Sequence, residues 1–140
     1  MNPKYQFILA VDFDGTITDA NEFPYIGKLK EGAAEELTKL HDVGVIIILW
    51  TCREGIYLTE AVTYCRQHGV PIDYVNQNVP AIENAPDIDL FAKRKIFANK
   101  YVDDANIDGF SGWEAVSREV HKRLKSGRFL VGAPTPGVAK

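Results

Sequence analysis

Two apolar runs, "FILAV" at residues 7–11 and "VIIILW" at 45–50, contain no polar alternation. A strand with one face in water alternates apolar and polar residues, whereas a strand covered on both faces reads as continuous hydrophobic sequence, the habit of parallel sheets. Segments with helical spacing lie between and after them. In "EGAAEELTKLHDVG", Ala34, Leu37, Leu40 and Val43 fall on one helical face, and Gly44 is placed to cap the C-terminus. In "GIYLTEAVTYCRQHG", Leu58, Val62 and Cys65 repeat the pattern before Gly69. A short strand at "IDYVN", an irregular stretch "QNVPAIENAPDID", a strand around "NKYV" and a helix from about Trp113 to Lys125 follow. Alternating strands and helices predict an α/β fold: a three-layer, doubly wound (Rossmann-like), mostly parallel sheet.

At 140 residues the chain is read as one domain over 1–128 with a proline- and glycine-rich tail over 129–140, flexible or draped, or else an arm onto a neighbouring subunit. Apolar residues make up 46% and charged residues 25%, which excludes a mainly disordered chain. The run "VGVIIILW" is too short to span a bilayer, and "MNPKYQF" lacks a basic region followed by a long apolar stretch. A cytoplasmic protein with no membrane partner is expected. Cys52 and Cys65 lack CxxC spacing and His41, His68 and His121 are scattered, so no zinc pattern is present and reduced thiols are expected. A net charge of -3 gives no global attraction to nucleic acid; Arg118, Lys122, Arg123, Lys125 and Arg128 read as the solvated face of the last helix.

In open α/β sheets, ligands bind beyond the carboxyl ends of the strands, near a reversal of strand order. The polar residues of this chain gather at those ends. Asp12 and Asp14 follow the first run, Thr51, Cys52 and Arg53 the second, Asn76 and Asn78 follow "IDYV", and Asp103 and Asp104 follow "NKYV". In extended chain, residues i and i+2 point the same way with Cα atoms roughly 6.5 Å apart, so Asp12 and Asp14 begin on one side. If the strand before Asp103 and Asp104 lies beside the first, four carboxylates reach one edge, and they repel one another unless a proton or cation intervenes. Hard oxygen ligands without histidine or thiolate point to Mg²⁺. Any one of these acids alone would read as a helix cap or turn residue.

In order, "DFDGT", Thr51 at the close of "VIIILWT", a lysine and the paired acids of "KRKIFANKYVDD" resemble the haloacid dehalogenase (HAD) superfamily of phosphohydrolases, over roughly Phe7 to Asp108. The resemblance implies a HAD-like fold and a Mg²⁺-dependent phosphatase working through an aspartyl-phosphate. Asp12 would be nucleophile and metal ligand; Asp14 would be general acid and base, with its backbone carbonyl on the metal. Thr51 would hydrogen-bond a phosphoryl oxygen, and Lys95, with Lys93 as rival, would supply positive charge. Asp104 matches the direct metal ligand, Asp103 a ligand through water or an orienting group, and Asp108 a supporting acid. Gly15 permits the sharp turn after Asp14, and Thr16 hydrogen-bonds within it.

The interval from Asp14 to Glu31 holds only "GTITDANEFPYIGKLK", enough for a flap hairpin where larger relatives insert a cap domain. A capless member has an open site, suited to a nucleic-acid end or to a phosphorylated small molecule closed in by a homo-oligomer neighbour. Arg53, Asn21 and Asn76 are the expected substrate contacts, together with Phe23 and Tyr25 of the flap. Two other classes compete: a catalytically silent HAD-like phosphate-binding or interaction protein, and a receiver-like phosphoacceptor domain. A receiver places its acid pair first, whereas here the pair comes last.

Overall fold

The computed structural model describes residues 7–20, 22–80 and 95–126. Asn21, Lys93 and the tail over 129–140 lie outside the described residues. Strands β1 (Ile8–Val11), β2 (Ile46–Leu49), β3 (Tyr74–Val75) and β4 (Lys100–Val102) form a four-stranded sheet in the order β3-β2-β1-β4, parallel at every pairing. Helices α1 (Ala33–Asp42), α2 (Gly55–Gln67) and α3 (Trp113–Ser126) complete a small doubly wound α/β fold.

β1 and most of β2 are buried on both faces, the physical reason their sequences show no alternation. Leu9, Val11, Ile47 and Leu49 face the larger core, where α1 contributes Leu37 and Leu40, α2 Ala61 and Cys65, and α3 Trp113 and Val120. In α2 the deepest positions are Ala61 and Cys65, with Leu58 and Val62 only partly buried, so the apolar stripe is rotated slightly from the one expected. Alternate residues Ile8, Ala10 and Ile48 face a smaller cluster with Val79, Ile96 and Ala98. Val79 lies shortly after β3, and Ile96 and Ala98 shortly before β4. Four of the exposed charges of α3 pair across single turns, Arg118 with Glu114 and Arg123 with Glu119. Among the described residues no helix is long and apolar enough to cross a membrane, and no buried side-chain nitrogen or oxygen lacks a partner.

The strand order sets the site. The chain steps outward from β1 through β2 to β3, then returns to pair β4 against the other side of β1. That reversal opens a crevice at the carboxyl ends of β1 and β4. Val11 pairs with Val102, and Asp12 N donates to Val102 O at 2.9 Å, so the register carries Asp12 alongside the acids that follow β4.

Candidate active site

Asp12, Asp103 and Asp104 each offer a carboxylate oxygen, and these oxygens lie within 4.8 Å of one another. The juxtaposition of β1 and β4 brings them together from distant parts of the chain. Burial, then the charge of Asp103, then Asp104 push the Asp12 carboxyl up to about 7. Thr16 opposes that shift: its hydroxyl donates to Asp12 Oδ2 at 3.0 Å and accepts from Asp104 N at 3.0 Å. The threonine expected to serve its own turn therefore also staples the end of β1 to the end of β4. Three carboxylate oxygens this close, with no histidine or thiolate among them, could hold a divalent cation with oxygen preference.

The turn after Asp14 winds tightly, with the amides of Thr16, Ile17 and Thr18 all donating to Phe13 O. Gly15 sits at φ 86°, in the region that favours glycine, and a Cβ there would collide with Asp104 Oδ2. Its freedom thus serves both the turn and the close approach of Asp104. Thr16 O accepts from the buried indole Nε1 of Trp113 at 2.9 Å, which anchors the turn to α3.

After the turn the chain makes a short flap. Asp19 N donates to Lys28 O and Lys30 N to Ile17 O, closing its base. At its tip Phe23 and Tyr25 are 58% and 68% exposed, and Phe23 meets Tyr57 of α2 edge to face with centroids 5.0 Å apart. The Phe23–Pro24 peptide is cis.

The remaining expected site residues divide. Thr51 lies half-buried beyond β2, and its Oγ1 accepts from Arg53 N at 3.2 Å. Asn76, expected to touch substrate, instead pairs with the Thr51 backbone through both ends of its carboxamide, at 2.9 and 3.0 Å. Arg53 is 3% exposed and turns inward: Nε donates to Asp14 Oδ2 at 2.7 Å and Nη2 to Asp14 Oδ1 at 2.8 Å. Lys95 is exposed, with Nζ 4.7 Å from the Tyr101 ring centroid, and it does not figure among the groups that shift Asp12. Asp108 is exposed on the loop after Asp104. Both cysteines are free, Cys52 exposed and Cys65 buried, where desolvation pushes its thiol up to about 12.

Sequence reasoning did not single out Trp113 or the cross-strand role of Thr16. No residue spacing links Trp113 to a turn 97 positions away, although a tryptophan opening a helix after a strand-end acid pair was a visible signal.

No family model matches the chain, and no curated protein does. Among solved structures it is similar to a conserved protein of Bacteroides thetaiotaomicron, with 32% identity over 84% of this chain and 92% of that one and a TM-score of 0.72.

Proposed function

The chain belongs to one family with the conserved Bacteroides thetaiotaomicron protein, and from the geometry of its own site we propose that it is a Mg²⁺-dependent phosphomonoester hydrolase of the HAD type. The observation that carries the reading is the convergence of Asp12, Asp103 and Asp104 at the β1/β4 crevice, with Asp14 two residues after Asp12 in the chain. Asp12 and Asp104 would hold the cation directly and Asp103 through water, with the Asp14 backbone carbonyl as a further ligand. When bound, Mg²⁺ neutralises the carboxylates and draws charge from the phosphoryl oxygens.

Asp12 attacks phosphorus, and the bond to the leaving oxygen breaks as an aspartyl-phosphate forms. Thr16 restrains the Asp12 side chain by its bond to Oδ2, which limits the rotamers from which attack starts. Asp14, whose side chain is 35% exposed, gives a proton to the leaving oxygen and later takes one from the water that cleaves the intermediate. Thr51 steadies a phosphoryl oxygen by hydrogen bond. Lys95, exposed and lying over the Tyr101 ring, would supply its charge after leaving that ring.

Between β1 and α1 the chain makes only the flap, which supports a capless site open to a phosphorylated small molecule or a nucleic-acid end. The test is a panel of phosphomonoesters with and without Mg²⁺. Release of phosphate that needs the metal and disappears in Asp12→Asn is expected. No turnover on any ester would overturn the reading in favour of a silent phosphate-binding protein.

A further inference from the structure

An arginine two residues past a strand-end threonine, beside a candidate phosphate site, is placed to meet substrate. The fold directs it elsewhere. Its guanidinium is covered by Phe13 and Phe23, each ring centroid 5.3 Å from Cζ. Beyond the two bonds to Asp14, Nη1 donates to Pro24 O at 3.2 Å and Nη2 to Tyr25 O at 3.4 Å. A buried guanidinium is unfavourable without acceptors, and here the two Asp14 oxygens and the two flap carbonyls supply them. The two side chains of the pair differ in burial: Arg53 is 2% exposed and Asp14 35%. The planar fork takes one lone pair from each carboxylate oxygen, and the second lone pair of each is left for the open side.

We propose that Arg53 is a positioning residue for the reaction. It grips Asp14 from behind so that the side of the carboxyl turned away from the guanidinium, which carries the proton in the acid half and accepts it in the base half, faces the reacting oxygen, and its bonds to Pro24 and Tyr25 tie that carboxyl to the flap tip, so acid and flap move as one unit. The proposal rests on the phosphatase reading. In the step it serves, the proton passes from Asp14 to the leaving oxygen as the phosphorus–oxygen bond breaks toward that oxygen. The proton returns to Asp14 from the hydrolytic water as the aspartyl-phosphate is cleaved. Arg53 transfers no proton in either half; it sets the direction of the carboxyl that does. With four of its five N–H donors directed to Asp14 and the flap, it also leaves recognition of the substrate phosphate to other groups.

A leaving group that departs poorly depends on protonation, and one that departs well does not. Full-length wild type, Arg53→Met and Arg53→Lys are therefore assayed with Mg²⁺ on 4-nitrophenyl phosphate and on a simple alkyl phosphate. Since general acid catalysis is worth about 10²- to 10⁴-fold, Arg53→Met should lose about tenfold more kcat on the alkyl ester than on the aryl ester, with KM little changed. Arg53→Lys, which keeps charge but only one of the two parallel bonds, should recover part of the alkyl activity. Raised KM with kcat intact would overturn the proposal and make Arg53 a substrate ligand. An equal loss on both esters would overturn it in favour of a purely structural role. If Arg53→Met melts below the assay temperature, Arg53→Lys carries the same comparison. A wild type that turns over neither ester refutes the phosphatase reading itself, whereas an active wild type with leaving-group-independent variants refutes this inference alone.

Discussion

Asn76 Oδ1 accepts a hydrogen bond from Thr51 N at 2.9 Å while its Nδ2 donates to Thr51 O at 3.0 Å. The residue closing β3 thus holds the residue closing β2 at two points, and the Thr51 hydroxyl is aimed by its neighbour as much as by its own strand. Asn76 adopts φ 51°, a left-handed conformation that asparagine tolerates better than most side chains. Asn76→Ala loses both bonds and puts a Cβ-bearing residue without a local polar partner in that region, a cost of about 2–3 kcal/mol. Asn76→Gly loses the same bonds but relieves the backbone. Melting temperatures should fall in the order wild type, Asn76→Gly, Asn76→Ala, and both variants should lower kcat because Thr51 is no longer fixed. An alanine variant as stable as the glycine variant would contradict the account.

The burial of Asp12 beside two other carboxylates makes stability depend on pH with a sign opposite to that of an ordinary salt-bridged acid. Asp12 titrates near about 7 in the folded protein, chiefly through burial, and near about 4 when unfolded. Between those values the folded state binds the extra proton, so stability falls as pH rises. The favourable contribution is complete below about 4 and lost above about 7. The metal-free protein should therefore lose part of its stability between pH 5 and pH 8 at this site. Asp12→Asn, neutral throughout, should flatten that dependence and melt above metal-free wild type at pH 8, though inactive. Added Mg²⁺ should raise the wild-type melting temperature more at pH 8 than at pH 5, because at pH 5 it competes with the proton. Thermal scans at the two pH values, with and without the metal, check each part.

Much of the architecture was readable from the chain because burial on both faces leaves an unmistakable mark. β1 and β2 fall within their apolar runs, β4 within "NKYV", and α3 begins at Trp113 as expected. The gathering of Asp12 with Asp103 and Asp104 followed from one topological rule applied to strand ends. The destinations of polar side chains were not readable. A polar residue just past a strand reads the same whether it faces solvent, as a substrate contact would, or folds back, as Asn76 does onto the Thr51 backbone. Arg53 is a sharper case, since its direction depends on Phe13, Phe23 and two flap carbonyls, none of which its own neighbours in sequence reveal.

Gly15 joins what was readable to what was not. Its positive φ is the sequence-level reason for a glycine in a sharp turn, but the Asp104 carboxylate beside it is a consequence of strand pairing. Gly15→Ala imposes backbone strain of about 1–2 kcal/mol and displaces Asp104 as well. The expected result is a weaker response to Mg²⁺ in thermal scans alongside lower stability. A simple turn glycine would lower stability and leave the metal response unchanged, so the two readouts together decide which role the residue has.

Thr16 offers the cleanest separation of site geometry from folding. Its hydroxyl stands between Asp104 N and Asp12 Oδ2, while its carbonyl is fixed independently by the Trp113 indole. Thr16→Val keeps the shape of the fully buried side chain and leaves that carbonyl bond intact, so the turn should stay in place. The change removes the partner of a backbone amide and of a carboxylate oxygen, at a cost of about 1–3 kcal/mol. It also removes the one hydrogen bond that lowers the Asp12 pKa, so that carboxyl should titrate still higher and require more Mg²⁺ to ionise at a given pH. Activity should fall steeply at low Mg²⁺ and recover in part as the metal is raised, whereas Thr16→Ser, which keeps the hydroxyl, should stay near wild type. A valine variant whose loss does not respond to Mg²⁺ would separate Thr16 from the carboxylate cluster and return it to the turn alone.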